Sequence, residues 1–272
     1  MLLHTINEIR KQIKVWKKEG LTVGFVPTMG ALHKGHLSLI KASLSKCDKT
    51  VVSIFVNPTQ FGPGEDFDKY PRTPEEDVKL CEGVDIIFAP GVNEMYDGSP
   101  FTTVMPPFEY IDMLCAKLRP GHFDGVCTVV SKLFNIVQPD FAFFGEKDMQ
   151  QLIIIKKMVK DLNFPIEIVG CPIVRDESGL ALSSRNKYLT SEQKQEASEL
   201  NKILKNIKMC YNNGITDIKA LTETAFGLEG LEYLEFRDKE DLEEKTQADS
   251  NTIAFIAAKI GQVRLIDNIK LM

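Results

Sequence analysis

Short apolar runs alternate along most of the chain with stretches of helical periodicity, and each run is closed by a turn-forming residue. Leu21 to Val26 ends at Pro27, Val51 to Val56 at Asn57-Pro58, and Phe141 to Phe144 at Gly145. Runs this short suit buried strands, as do Asp85 to Ala89 and Ile166 to Val169. His33 to Ser45, Gly125 to Val137 and Met149 to Leu162 carry apolar residues at helical spacing instead. Alternation of strand, helix and strand predicts parallel pairing through right-handed crossovers, and so an α/β fold. A helix precedes this pattern. Thr5 and Glu8 fit a capping box, Ile6, Ile9, Ile13 and Trp16 share one face, and Gly20 stops it.

The texture changes after the last of these strands, which places a domain boundary near Arg175. Residues 1–175 would form the sheet domain and 176–272 a smaller α+β domain. In the latter, Thr190 and Gln193 cap a long polar helix reaching about Tyr211, while Phe255 to Ile260 and Val263 to Ile269 supply strands. Charge excludes some partners: 33 basic against 38 acidic residues give −5, so no general attraction to nucleic acid or an anionic membrane follows. No apolar run approaches the roughly 20 residues of a membrane span. Met1 to Thr5 lacks a basic stretch followed by an apolar core, which predicts no secretion. The six cysteines form no CxxC pair and stand at no zinc-finger spacing from a histidine. Reduced thiols in a cytoplasmic protein are the expectation.

Unusual polar residues gather just after the predicted strands, from Pro27, Asn57, Gly145 and Arg175 onward. Loops at the carboxyl ends of parallel strands meet in one crevice, so four segments should converge on one site. His33 and His36 share a helical face at a helix start, where free backbone N–H groups favour an anion. Gly35 removes a side chain where a phosphate would approach. Imidazole N–H groups aimed at a phosphate are one reading; surface histidines at a cap and a metal pair are others, although no carboxylate completes an HExxH arrangement. Gln60 offers a donor and an acceptor suited to a ligand bearing a hydroxyl and a carboxylate, although by itself the segment reads as a strand stop followed by an ordinary exposed glutamine. Glu75-Glu76-Asp77 suits Mg²⁺ handling or an acidic first helical turn equally well. Arg119 and His122 either face an anion or decorate a Pro-Gly turn. Gly145 permits a tight strand-to-helix turn; either Lys147 reaches phosphate as a point charge and Gln151 faces back from one turn into the helix, or the segment is a generic loop with Asp148 as helix cap. Ser183, Ser184 and Arg185 make a clamp for β- and γ-phosphates. No cysteine joins these clusters.

In this order, Pro27 to His36, Phe55 to Phe61, Arg119 to Gly125, Phe144 to Gln151 and Leu182 to Asn186 resemble the motifs of the pantothenate synthetase (pantoate–β-alanine ligase) family of HxGH nucleotidyltransferases. The tail Arg264 to Asn268 also matches, whereas Asp112 to Cys115 and Lys239 to Lys245 are not diagnostic. The resemblance implies a Rossmann-like parallel sheet nucleotidyltransferase domain, a smaller C-terminal domain serving as a lid, and a homodimer. It implies two half-reactions: pantoate attacks ATP to give pantoyl adenylate and pyrophosphate, and β-alanine then displaces AMP. Carried over by position, Met29, Gly30, Ala31, Leu32, His33, Lys34, Gly35 and His36 form the first ATP segment, with His36 in a proton-donor role. Gly145, Glu146, Lys147 and Asp148 form the second, Val174 touches adenine, and Leu182, Ser183, Ser184 and Arg185 form the third. Gln60 and Gln151 bind pantoate, Gln60 also lying near β-alanine. His33, His36, Lys147 and Arg185 make the catalytic set, with Mg²⁺ bridging pyrophosphate oxygens and its protein ligands unassigned.

The attacking carboxylate is already ionised, so His36 reads chiefly as a hydrogen-bond donor. Another HxGH enzyme, joining a nucleotide to a phosphate ester, would want basic side chains where Gln60 and Gln151 stand. A non-catalytic nucleotide sensor would lack catalytic groups that are all present.

Overall fold

The computed structural model describes residues 1–223 and 227–272. Its sheet region runs β1 (Leu2–Leu3), α1 (Ile6–Lys18), β2 (Val23–Thr28), α2 (Lys34–Lys46), β3 (Lys49–Ile54), α3 (Pro74–Leu80), β4 (Ile86–Phe88), α4 (Val92–Met95), α5 (Leu114–Lys117), α6 (His122–Val137), β5 (Phe141–Gly145), α7 (Met149–Asp161) and β6 (Glu167–Cys171). The six strands are all parallel, in the order β1-β4-β3-β2-β5-β6. From β2 the chain builds outward through β3 and β4, then returns to add β5 and β6 on the other side. The order therefore reverses between β2 and β5, where open parallel sheets bind ligands.

Successive strand residues feed opposite layers, which is why these strands read as unbroken apolar runs. Phe25, Val51 and Phe144 join Ile9, Trp16, Phe134 and Ile154 on one face, while Val26, Val52 and Phe143 join Leu39 and Ile40 on the other. The Thr5–Glu8 capping box forms as expected, and Ile9, Ile13 and Trp16 are buried.

Strand β2 does not stop at Pro27 but continues to Thr28. Thr22 and Thr28 carbonyls accept from Lys49 and Phe55 beside β3, whereas the Val23 carbonyl accepts from Asp140 beside β5. Odd-numbered residues of β2 thus face β5, whose pairing ends at Phe25 with Ala142, so the missing Pro27 N–H removes no ladder bond. Helix α6 begins at His122 rather than Gly125, after Gly121 in the left-handed region at φ 77°. β1 and α3 add to the expected elements.

The remainder comprises α8 (Ser191–Asn212), α9 (Ile218–Thr222), β7 (Leu231–Asp238), β8 (Thr252–Ile260) and β9 (Val263–Lys270). Its three strands form an antiparallel sheet, β7-β8-β9. Thr190 and Gln193 make the expected capping box, and α8 buries Leu200, Leu204 and Ile207 against Ala254, Ile256 and Ala258. β7 lies in a stretch with no strand expected. Its charged residues are paired, Glu232 with Arg264 and Glu235 with Arg237, which hides the strand pattern. β9 docks on the turn after β5: Asn268 donates to the Glu146 and Lys147 carbonyls at 2.8 and 3.0 Å, and Lys270 pairs with Glu146 at 2.7 Å. Among the described residues no helix is long and apolar enough to cross a membrane.

Candidate active site

The carboxyl ends of β2, β3, β5 and β6 open into one cavity of about 250 Å³. Met29, His33, Gly35, His36, Gln60, Gly145, Lys147, Asp148, Gln151, Val174, Leu182, Ser183, Ser184 and Arg185 all line it. A larger cleft of about 710 Å³ adjoins it, sharing Lys147, Asp148, Gln151, Arg119 and Arg185, and bounded by Arg264 and Ile266 of β9. Five of the expected ATP residues stand off the cavity wall, the buried Gly30 among them. Lys34 is exposed, Ala31 and Leu32 are buried, and the Glu146 carboxylate turns to Lys270.

The loop from β2 to α2 differs in one respect from an anion cradle made of main chain. Five of its N–H groups are already engaged by side chains. Gly30 donates to Thr28 Oγ1 at 3.2 Å, Ala31 and Leu32 to the two oxygens of Asp77 at 3.0 and 2.7 Å, His33 to His36 Nδ1 at 3.3 Å, and Gly35 to His33 Nδ1 at 3.1 Å. Two histidines therefore cap α2 reciprocally, with ring centroids 4.1 Å apart. Since each Nδ1 accepts a hydrogen bond, each neutral ring carries its proton on Nε2. Burial is the largest cause holding His33 down to about 3 and His36 to about 4, with the Lys147 charge adding to both. A Cβ on Gly35 would meet His33 Cε1 at 2.8 Å, so this glycine makes room for the imidazole itself. Gly145, at φ −75°, needs no left-handed turn, and a Cβ there would meet open space on the cavity side.

Gln60 is aimed by Asn57, which is 1% exposed. Asn57 Nδ2 donates to Gln60 Oε1 at 3.1 Å and to the Gly125 carbonyl at 3.2 Å, while Tyr96 and Thr59 hydroxyls donate to Asn57 Oδ1 at 2.9 Å. The Gln60 amide in turn lies 3.1 Å from Met29 Sδ. Asn57 is thus more than a strand stop, and its role depends on α6, far along the chain. His122 donates from Nδ1 to the Gln60 carbonyl at 2.8 Å and accepts from Arg119 at 3.0 Å; burial pushes it down to about 4.

Both guanidinium groups near the cavity already hold carboxylates. Arg119 makes two bonds to Glu65 at 2.7 and 2.6 Å, and Arg185 two to Asp66 at 2.9 Å each. Among the described residues, the Lys147 ammonium has only a 3.7 Å contact with Asp148. The Tyr70 hydroxyl lies 3.2 Å from Ser184 Oγ, tying the 61–73 connection to the Ser183–Arg185 turn. Neither Glu65, Asp66 nor Tyr70 stands in a segment that spacing alone would single out.

A histidine-capped helix at the switch point, with Lys147 and two amide side chains lining the same cavity, is the layout of an α/β enzyme that handles a polyanionic substrate together with a small polar one. The model of the family described as Pantoate-beta-alanine ligase matches residues 1–270. A protein of Clostridium novyi called pantothenate synthetase is 52% identical over 98% of this chain and 96% of its own length. The crystal structure of pantothenate synthetase from Thermus thermophilus superposes with a TM-score of 0.92 at 41% identity, covering 99% of both chains. Pantoate-beta-alanine ligase from Francisella tularensis, solved with beta-gamma ATP and beta-alanine, gives 0.81 at 37% identity over 100% of this chain and 97% of its own. The chain belongs to the pantoate–β-alanine ligase family. Its activity is the ATP-dependent joining of pantoate to β-alanine that forms pantothenate.

Proposed function

We propose that the reaction runs through pantoyl adenylate and that the 250 Å³ cavity is where it forms. The pantoate carboxylate attacks the α-phosphorus of ATP, the bond to pyrophosphate breaks, and the pyrophosphate leaves with its electron pair. The neutral amine of β-alanine then attacks the acyl carbon and AMP departs. The paired neutral histidines beside Lys147 carry this reading, because their Nε2–H groups supply donors to oxygens whose charge grows in the transition state. His36 acts by hydrogen bonding, since a ring held near 4 has no proton to give up at neutral pH. Lys147 and Arg185 face the leaving pyrophosphate, and Arg185 must first leave Asp66. Gln60 and Gln151 bind the pantoate hydroxyls and carboxylate. Phe55, Val129, Val130 and Leu133 give the cavity an apolar wall that keeps water from the adenylate.

Mg²⁺ fits as an ion carried in on the triphosphate. Among the described residues no cluster of three carboxylate, histidine or cysteine side chains forms a cage, and Mg²⁺ readily takes most of its ligands from substrate phosphates and water. Asp148, the carboxylate on the cavity wall, would hold it there, and the bound ion would neutralise phosphate charge. The segment from about residue 176 onward serves as lid, and the enzyme works as a cytoplasmic homodimer, which sedimentation tests. For the reaction, the decisive assay supplies ATP, Mg²⁺ and labelled pyrophosphate with pantoate but no β-alanine. Pantoate-dependent exchange into ATP is expected, followed by AMP release on adding β-alanine; exchange without pantoate, or none at all, refutes the adenylate route.

A further inference from the structure

Asp77 is 1% exposed, yet among the described residues no cation pairs with it. What it does receive is three donors: the Ala31 and Leu32 N–H groups and, at 3.3 Å, the Thr73 hydroxyl. A buried carboxylate held only by neutral donors is costly to keep, so it is best explained by what it holds. The loop is bent where it is held: Ala31, with a side chain, has φ 49°, and Gly30 just before it φ 81°. A Cβ on Gly30 would stand 2.9 Å from an Asp77 oxygen, so the loop is shaped around this carboxylate. Leu32 immediately precedes His33, the cap of α2, and His33 and His36 are locked to each other and to the main chain.

We propose that Asp77 is a positioning residue for adenylate formation: its carboxylate takes the place of a bound anion behind the Gly30–Leu32 turn and thereby sets the aim of both imidazoles. The inference rests on the adenylate route above. It makes the two half-reactions respond differently. In the first, charge grows on the α-phosphate and the departing pyrophosphate, where the histidines act; in the second it grows first on the acyl oxygen as the amine attacks carbon, and on the AMP phosphate only as the C–O bond breaks.

Asp77→Asn keeps the shape but turns an amide N–H₂ toward at least one backbone donor. Pantoate-dependent pyrophosphate exchange should then fall about a hundredfold, the usual consequence of a misplacement near 1 Å. Consumption of supplied pantoyl adenylate by β-alanine should stay within about threefold of wild type. In Asp77→Ala, formate, small enough to refill the vacated space, should restore part of the exchange. Exchange by Asp77→Asn close to wild type overturns the proposal, as does a parallel loss of both half-reactions. So does a set of variants that fail to fold with or without formate, because Asp77 would then be a core residue only. If wild-type enzyme itself shows no pantoate-dependent exchange, the adenylate route fails, and that failure is distinguishable from one confined to the variants.

Discussion

The protonation state of His36 decides between two kinds of catalysis, and pH separates them by sign. With its pKa held to about 4 by burial, only about 1% of the ring is charged at pH 6 and about 10% at pH 5. A histidine in its ordinary range near 6.5 would be about 3% charged at pH 8 and about three-quarters charged at pH 6. If the imidazolium were the active form, adenylate formation would rise roughly 25-fold between those two values. If the neutral Nε2–H is the donor, the rate stays flat within about twofold down to pH 5 and is lost as pH falls through about 4. The assay is pyrophosphate exchange in the presence of pantoate, from pH 8 to 5, for wild type and His36→Ala. Titration of the substrates affects both proteins, so the ratio of their rates isolates the ring. Losing a donor to a developing phosphate charge should lower exchange by about a hundredfold or more. A wild-type to His36→Ala ratio that climbs on acidification would refute the neutral donor.

The same burial makes the fold acid-sensitive. His33, His36 and His122 sit at about 3, 4 and 4 in the native state, so below about pH 6.5 the unfolded chain binds protons that the native chain refuses. Stability is therefore full above that value and declines until pH falls through the native values; His122 alone accounts for on the order of 3 kcal/mol by pH 4. Urea midpoints at pH 7 and 4.5 test this, and a higher midpoint at 4.5 would contradict it. Gly125→Ala places a Cβ 2.3 Å from the Thr59 carbonyl oxygen, in backbone that cannot swing aside. It should cost about 1–3 kcal/mol in thermal unfolding and raise the KM for pantoate through Gln60; an unchanged KM would detach Gln60 from pantoate. Asp66→Asn releases Arg185 from a partly exposed pair worth on the order of 0–1 kcal/mol. The KM for ATP should fall by up to about fivefold, most visibly at low salt, and a raised KM would mean that Asp66 helps rather than competes.

What the sequence discloses here depends on how local the physics is. Val51-Val52 and Phe143-Phe144 announce buried parallel strands because both neighbours of each pair are covered, one on each face of the sheet. Thr5 with Glu8 and Thr190 with Gln193 announce helix starts because a capping box is complete within four residues. Convergence of Met29, His33, His36, Gln60, Lys147, Gln151, Val174 and Arg185 on one cavity follows from a topological rule that needs only the strand order. β7 escapes because its charges are matched by Arg264, more than thirty residues on, and by Arg237. Gly125 and Asn57 escape for the same reason: each is explained by a contact the other's segment supplies.

The loop after β2 shows how a long-range contact can change the chemistry inferred from a local motif. Read alone, a helix start bearing histidines offers an anion two kinds of donor, main-chain N–H and imidazole N–H. Asp77, 45 and 46 residues away from the groups it holds, takes two of the main-chain donors, and the histidines take two more from each other's turn. On the proposed reading, recognition by this segment therefore rests more on Nε2 of His33 and His36 than on the main chain. A main-chain donor survives any substitution but proline, whereas a ring does not. A helix N-terminus that binds through its backbone would tolerate alanine at positions 33 and 36; one with most of its main-chain donors turned inward loses a larger share of its hold on the phosphate with each ring that is removed.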